Sequence, residues 1–263
     1  MDTNTEQAER ERAWLLREKY DGAETADFRK DLACLEQGEP LAYLIGHAPF
    51  LDATIFLDSR PLIPRPETEY WTKTAIAEIT ACVPRVANTG KMLRVLDLCA
   101  GSGCVGIVVL KAVPRARGDF AEINAGHHPT ISKNLITNNI APSRARIFGG
   151  DLFQNIPRGT RYNFILANPP YLDPCLADRA DSNVNEYEPE QALWGGTDGM
   201  KYISRILTET PHFLAKNGVL YIEHEPEQTE AVHTLADSLS YTSCQTHNDQ
   251  FRLLRYTRLL RAS

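Results

Sequence analysis

The chain has 263 residues, of which 43% are hydrophobic and 24% charged, a composition typical of an ordinary globular protein rather than a disordered one. The net charge of −6 argues against a protein that holds nucleic acid by broad neutralisation of phosphates. No run approaches the roughly 18 consecutive apolar residues of a membrane span, and the acidic amino terminus is unlike a signal or transit peptide, so we expect a cytoplasmic protein without membrane contact.

The cysteines indicate reduced thiols. They show no CxxC spacing and no accompanying cluster of histidines, so neither a disulfide framework nor a zinc site is predicted, and we expect no bound metal. They are Cys34, Cys82, Cys99, Cys104, Cys175 and Cys244.

The amino-terminal third is predicted to be a helical hairpin followed by a β-hairpin and a further helix. Apolar residues recur at helical intervals over 5–20 and 24–36, and APFLDATIFLDSRPLIP alternates like a β-hairpin. Pro66 fits the first turn of a helix that runs to about residue 82, and 84–91 is the best linker candidate. We therefore predict a short helical segment (1–45), a connecting hairpin and helix (46–90), and a third, larger domain (91–263).

From residue 92 onward, short apolar strands alternate with helices, which indicates a doubly wound α/β sheet with right-handed crossovers. Two final β-runs, joined at 247–249, predict a carboxy-terminal antiparallel hairpin. By fold-level analogy, this is the S-adenosylmethionine-dependent methyltransferase variant of the doubly wound fold. The connection 172–198 is long enough to suggest a functional loop.

Two features near the carboxy terminus are given structural interpretations. Glu223 and His224 end a strand and could border a site, but a hydrogen-bonded structural pair is the preferred interpretation. Four arginines at a spacing of three could form a basic strip near nucleic acid; we prefer an exposed edge strand whose charges oppose aggregation. They are Arg252, Arg255, Arg258 and Arg261.

Acidic residues end three successive predicted strands. Asp97 precedes a Gly-x-Gly turn that opens a helix, a pattern that lets the backbone approach a ligand but that also fits a plain tight turn. Glu122 ends the next strand, 25 residues later, where a carboxylate can accept both hydroxyls of a ribose. Asp151 and Leu152 follow the third strand and suit an adenine ring. Three carboxylates favour a cationic cofactor such as S-adenosylmethionine over one with a pyrophosphate.

The fourth strand ends at Asn168-Pro169-Pro170-Tyr171, a stiff corner with carbonyl oxygens and few N–H donors. An amide or arylamine nitrogen that donates to the Asn168 side-chain oxygen and the Pro169 carbonyl would be held with its lone pair toward a methyl donor. Tyr171 would offer its ring face or hydroxyl to the planar acceptor.

With these motifs in order, the sequence resembles the HemK/PrmC family of release-factor glutamine N5-methyltransferases. The resemblance runs from about Glu39 to Arg258 through EPLAYLIGHAPF, RPETE, VLDLCAGSG, GDLF, NPPY, YEPEQALWGG and LYIEH. NPPY also occurs in adenine N6-methyltransferases; RPETE separates this family from them and from the ribosomal-protein branch.

The resemblance implies a class I methyltransferase fold, S-adenosylmethionine as methyl donor, and the glutamine of a release factor's Gly-Gly-Gln loop as acceptor. The implied cofactor-binding residues are Asp97, Cys99, Ala100, Gly101, Ser102, Gly103, Glu122, Asp151, Leu152 and Asn168. The implied acceptor-binding residues are Asn168, Pro169, Pro170, Tyr171, Arg65 and Glu67, and Asn168, Pro169 and Tyr171 would be catalytic.

The sequence departs from the family pattern at three places. Cys99-Ala100 stand where Gly-Thr is usual, Glu122 stands where Asp is commoner, and about 38 residues precede EPLAYL where the family has a longer helical bundle.

Two alternative functions are methylation of adenine N6 in RNA or DNA and a non-catalytic binding protein that has kept the fold.

Overall fold

The computed structural model describes residues 3–87, 92–179, 186–239 and 241–261. In this part of the chain, the α-helices are α1 (Thr3–Tyr20), α2 (Ala26–Glu36), α3 (Leu41–Ile45), α4 (Pro66–Ala87), α5 (Cys104–Ala112), α6 (His128–Thr137), α7 (Glu190–Leu193), α8 (Met200–Glu209) and α9 (Thr229–Asp237). No helix among these combines the length and the apolar character needed to cross a bilayer.

The strands of the described residues form one hairpin and one large sheet. They are β1 (His47–Phe50), β2 (Ala53–Phe56), β3 (Leu93–Leu98), β4 (Ala116–Glu122), β5 (Ala145–Gly149), β6 (Tyr162–Ala167), β7 (Leu214–Glu223), β8 (Tyr241–Asn248) and β9 (Leu254–Arg261). β1 and β2 pair antiparallel, as the sequence predicts.

The amino-terminal helices pack on each other around a small core of their own. Leu15 of α1, Phe28 of α2 and Leu44 of α3 are buried together. Thr25 precedes α2, and its hydroxyl accepts the Phe28 N–H at 3.1 Å, which satisfies one of the free donors at the helix start. The predicted helical hairpin is therefore confirmed.

Helix α4 begins at Pro66 as predicted but continues beyond residue 82 to Ala87. Residues 84–87 of the predicted linker therefore belong to its last turn, and 88–91 lie outside the described residues. Proline 84 is accommodated inside this long helix. On its inner face, Trp71, Ala75 and Ile79 pack into the same core as the large sheet, so the connecting segment and the sheet share one hydrophobic core.

The large sheet has the strand order β5-β4-β3-β6-β7-β9-β8. The pairs from β5 to β7 are parallel, and of the seven strands described β9 alone runs in the opposite direction. The chain moves outward from β3 to β5 and then returns to the other side of β3 at β6. This reversal opens a crevice at the carboxyl ends of the central strands, where doubly wound proteins bind ligands.

The prediction that the carboxy-terminal arginines lie on an exposed edge strand is wrong. Strand β9 is enclosed between β7 and β8, and β8 forms the edge of the sheet. Arg255 is only 9% exposed and pairs with Glu225 and Asp249, while Arg258 pairs with Glu78 of α4. These arginines hold the sheet to the surrounding elements.

Candidate functional site

Two pockets meet at the carboxyl ends of the central strands, and Asn168 lies between them. Leu62, Asn168 and Ala192 contribute to the walls of both. The first pocket is lined by Leu62, Cys99, Gly101, Ala121, Glu122, Ile123, Asn124, His127, Gly150, Asp151, Leu152, Asn168, Pro170, Pro189, Gln191, Ala192 and Tyr202. The second is lined by Leu62, Arg65, Glu67, Asn168, Pro169, Tyr171, Leu172, Ala192, Leu193, Glu225 and Arg255.

Glu122 is held in the first pocket by two backbone amides. Its Oε2 accepts the Gly101 N–H at 2.8 Å and its Oε1 accepts the Asn124 N–H at 2.8 Å. Each carboxylate oxygen retains further acceptor capacity, and the residue is 7% exposed. The carboxylate is thus fixed in position with acceptor sites left for the two hydroxyls of a ribose.

The turn between β3 and α5 brings backbone into contact with the first pocket. Gly101 has φ +53°, and a methyl group built there would find only Pro61 at 4.0 Å, so the loop leaves open space in front of its backbone. Cys99 has φ +61°, a left-handed conformation that favours glycine. Gly103 lines neither pocket, and a methyl group built there would meet Ile131 at 3.2 Å and Phe120 at 3.4 Å.

Asp97 anchors the start of α5. Its Oδ2 accepts the Gly106 N–H at 2.8 Å, and burial raises the pKa of the carboxyl to about 8. The side chain also borders a small cavity that Gly101 and Asn168 share, together with the neighbouring Ala100 and Ser102. Asp97 therefore combines a structural role with a place beside the first pocket.

Asp151 and Leu152 form the wall of the first pocket that follows β5. Leu152 is 7% exposed and its side chain packs in the core. The Asp151 carboxylate forms a two-oxygen ion pair with Arg205 of α8, at 2.8 and 3.0 Å. Part of the acceptor capacity of Asp151 is therefore used within the protein, and Arg205 fixes its direction.

Asn168 presents a free oxygen at the junction of the two pockets. Its Nδ2 donates to Thr68 Oγ1 at 3.1 Å, and its Oδ1 accepts no hydrogen bond from any residue that the structure describes. The Tyr171 hydroxyl donates to Glu223 Oε1 at 2.9 Å. Burial raises the pKa of this phenol well above its ordinary value, and the charge of Glu223 raises it further. Tyr171 consequently offers its ring, rather than its hydroxyl, to the second pocket.

Arg65 and Glu67 both line the second pocket but differ in their partners. Arg65 forms an ion pair of 2.5 Å with Glu188, which also accepts the Ile63 N–H at 3.1 Å. The Glu188 side chain is almost completely buried, so this pair fastens the segment before α7 to the segment before α4. For Glu67, no partner occurs within the described ranges.

The electrostatics of the first pocket suit a cationic, ribose-containing ligand. Glu122 and Asp151 line it, whereas none of its described lining residues is lysine or arginine. A pyrophosphate would be repelled by these carboxylates, but a sulfonium and an α-ammonium group would be attracted. The residues present therefore fit S-adenosylmethionine.

Sequence reasoning missed two residues of the site, Thr68 and Glu223. Thr68 is the fourth residue of RPETE, and its side chain contacts Asn168. Glu223 accepts hydrogen bonds from Thr68, Trp71 and Tyr171, which makes the predicted Glu223–His224 pair wrong. His224 instead contacts the Thr257 hydroxyl and the Glu225 carbonyl.

Comparison with known proteins identifies relatives of this chain by sequence. The family model described as "Methyltransferase small domain" matches residues 81–180. The chain is 33% identical to a release factor glutamine methyltransferase of Bordetella pertussis over 229 residues, which cover 86% of this chain and 80% of the relative. It is 29% identical to a ribosomal protein uL3 glutamine methyltransferase of Francisella tularensis, over 89% of this chain and 72% of the relative.

A solved structure supports the fold. A methyltransferase from Pyrococcus furiosus superimposes with a TM-score of 0.56 over 89% of this chain and 99% of its own, at 12% sequence identity. The expected doubly wound sheet, mostly parallel with a carboxy-terminal antiparallel hairpin, is therefore confirmed as the class I methyltransferase fold.

Proposed function

Because this chain belongs to the release factor glutamine methyltransferase family, we propose that it methylates the side-chain nitrogen of the Gly-Gly-Gln glutamine of a peptide chain release factor. S-adenosylmethionine, bound in the first pocket, supplies the methyl group. The observation that carries the proposal is the position of Asn168, which lines both pockets and has a free side-chain oxygen. The protein would then act in the cytoplasm, where release factors work.

The residues of the second pocket would orient a weak nucleophile. The nitrogen of a carboxamide attacks poorly because its lone pair is delocalised into the carbonyl. Asn168 Oδ1 and the Pro169 carbonyl can each accept one N–H of the acceptor amide, and proline leaves the corner without a competing donor at positions 169 and 170. Two accepted hydrogen bonds turn the lone pair toward the first pocket and stabilise the positive charge that develops on the nitrogen.

The raised pKa of Asp97 predicts that cofactor affinity depends on pH. With a pKa of about 8, the free protein carries a neutral Asp97 at pH 7, whereas a cationic ligand nearby favours the carboxylate. Binding below pH 8 must therefore release a proton, so we expect affinity to rise by up to about tenfold per pH unit from pH 6 to pH 8 and to level off above. Calorimetry with S-adenosylmethionine across this range measures the slope.

The matched control for this prediction is Asp97→Asn. Asparagine keeps an oxygen for the Gly106 N–H but cannot ionise, so its cofactor affinity should be nearly independent of pH over the same range. A wild-type affinity that does not change between pH 6 and pH 8 would contradict this role of Asp97.

The main rival function is methylation of adenine N6 in RNA or DNA, which presents a similar planar amine. A base methyltransferase must extract its target and hold phosphates. In the second pocket, both arginines are already paired with carboxylates, Arg65 with Glu188 and Arg255 with Glu225, and Glu67 adds a negative charge. This charge distribution disfavours a phosphate backbone and supports a protein acceptor.

Incubation with methyl-labelled S-adenosylmethionine separates these functions. We expect label in purified release factor and none above background in RNA or DNA. Labelled nucleic acid, with a steep dependence on salt and an unlabelled release factor, would favour the rival. A non-catalytic binding protein would show no heat of binding with S-adenosylmethionine in calorimetry.

A further inference from the structure

Glu223 is a buried carboxylate at the end of β7 for which the proposed reaction has no direct use. It is 1% exposed and accepts three hydrogen bonds. Its Oε1 accepts the Tyr171 hydroxyl at 2.9 Å, and its Oε2 accepts the Thr68 hydroxyl at 2.8 Å and the Trp71 Nε1–H at 2.5 Å. These donors belong to α4 and to the NPPY corner, so Glu223 joins two of the segments that line the second pocket.

The contact between Thr68 and Glu223 fixes the direction of the next hydrogen bond. A carboxylate carries no hydrogen, so Thr68 must donate its single hydroxyl hydrogen to Glu223. Thr68 Oγ1 can then only accept on its other side, where Asn168 Nδ2 lies at 3.1 Å. Thr68 is 2% exposed, so water has little access to replace either partner.

We propose that Thr68 and Glu223 are positioning residues that set the orientation of the Asn168 amide. With its Nδ2 bound to Thr68, Asn168 must turn Oδ1 toward the junction of the two pockets. Without this constraint, the Asn168 amide could rotate and turn its N–H groups toward the substrate glutamine. The substrate amide also presents N–H groups there, so the two sets of hydrogen-bond donors would repel each other. The inference rests on the proposed function, because it assigns a purpose to the free oxygen of Asn168.

The hydrogen bond from Asn168 to Thr68 also links the RPETE segment to the NPPY corner, a link that neither Arg65 nor Glu67 makes. Arg65 pairs with Glu188, whereas Thr68 reaches across 100 residues of sequence to Asn168. Burial raises the pKa of Glu223 above its ordinary value, and the hydrogen bonds from Trp71, Thr68 and Tyr171, together with the charge of Arg255, oppose that rise. A carboxylate that accepts three hydrogen bonds and lies near a cation is held in one position as a hydrogen-bond acceptor.

The test compares Thr68→Val with Thr68→Ser. Valine has the shape of threonine but no hydroxyl, so turnover at saturating substrates should fall about tenfold or more, while cofactor Kd and acceptor KM change by less than about threefold. Serine keeps the hydroxyl, so its turnover should stay within about threefold of wild type. Wild-type turnover in Thr68→Val, or an equal loss in Thr68→Ser, would overturn the assignment. Thermal unfolding of both variants checks that they fold.

A double-mutant cycle tests whether Thr68 acts through Asn168. If it does, adding Thr68→Val to Asn168→Ala should cause no further loss of turnover, because the group that Thr68 orients is gone. A second loss as large as the first would show that Thr68 acts independently and would overturn the proposal.

One measurement tests the orientation without any acceptor. The Asn168 side-chain amide signals, identified by their absence from the NMR spectrum of Asn168→Ala, should exchange slowly with solvent in the wild type and at least about tenfold faster in Thr68→Val. Equal exchange rates would overturn the positioning role. A wild-type protein that methylates no release factor would contradict the proposed function, whatever the result of this exchange measurement.

Discussion

Replacement of Asn168 by alanine is expected to reduce turnover by about 100-fold or more. The variant loses the oxygen that would accept an N–H of the acceptor amide, an interaction that strengthens as positive charge develops on the nitrogen. Asn168 borders the first pocket only at its junction with the second, so cofactor affinity should change by less than about threefold. Steady-state kinetics with saturating acceptor and calorimetry with S-adenosylmethionine measure the two quantities.

Asn163→Ala is the matched control for this variant. Asn163 lies near the other end of β6, where its side-chain oxygen accepts the Arg94 N–H at 2.9 Å, and it lines neither pocket. Its replacement removes the same kind of side-chain amide but from the opposite end of β6, away from both pockets, so turnover should remain near that of the wild type. Near-normal turnover in Asn168→Ala would remove the basis for the proposed clamp on the acceptor amide.

Glu122→Gln is expected to weaken cofactor binding by about 10- to 100-fold while leaving turnover at saturation nearly unchanged. Both oxygens of Glu122 accept backbone N–H groups, from Gly101 and Asn124. A glutamine can satisfy only one of them and places its own N–H groups against the other, so the turn that contacts the cofactor loses its anchor. Titration calorimetry and the dependence of rate on cofactor concentration measure the effect.

The control must separate hydrogen bonding from loss of charge. Glu190→Gln removes the same charge from the exposed start of α7, beside residues that line the first pocket but without a side chain in its wall. We expect its cofactor affinity to stay within about twofold of wild type. If Glu122→Gln kept wild-type cofactor affinity but lost turnover, the assignment of Glu122 to the ribose would be wrong.

The sequence was sufficient for the class of the sheet, doubly wound and mostly parallel, because the signal was local. Strand β3 is buried along nearly all of its length, and the Gly-x-Gly turn after it marks the change to α5. The acidic residues Asp97, Glu122 and Asp151 each follow or end a strand of a parallel sheet, so their positions at one edge follow from topology alone.

The contacts across the site could not be obtained in the same way. Thr68 and Asn168 meet only because α4 packs against the end of β6, and nothing in RPETE indicates which of its residues faces inward. The pairing predicted for Glu223 and His224 could have been avoided, since adjacent residues of a strand point to opposite faces of the sheet. The position of β9 depends on which strand of the terminal hairpin joins β7, and alternation in the sequence does not distinguish the two.

Mass spectrometric mapping tests the central claim most directly. Purified release factor is incubated with the protein and S-adenosylmethionine, digested and sequenced, with Asn168→Ala treated in parallel. We expect one added methyl group on the side-chain nitrogen of the Gly-Gly-Gln glutamine, formed far more slowly by Asn168→Ala. An unmodified glutamine after incubation with wild-type protein that binds S-adenosylmethionine, or a methyl group on a different residue, would contradict the proposed function.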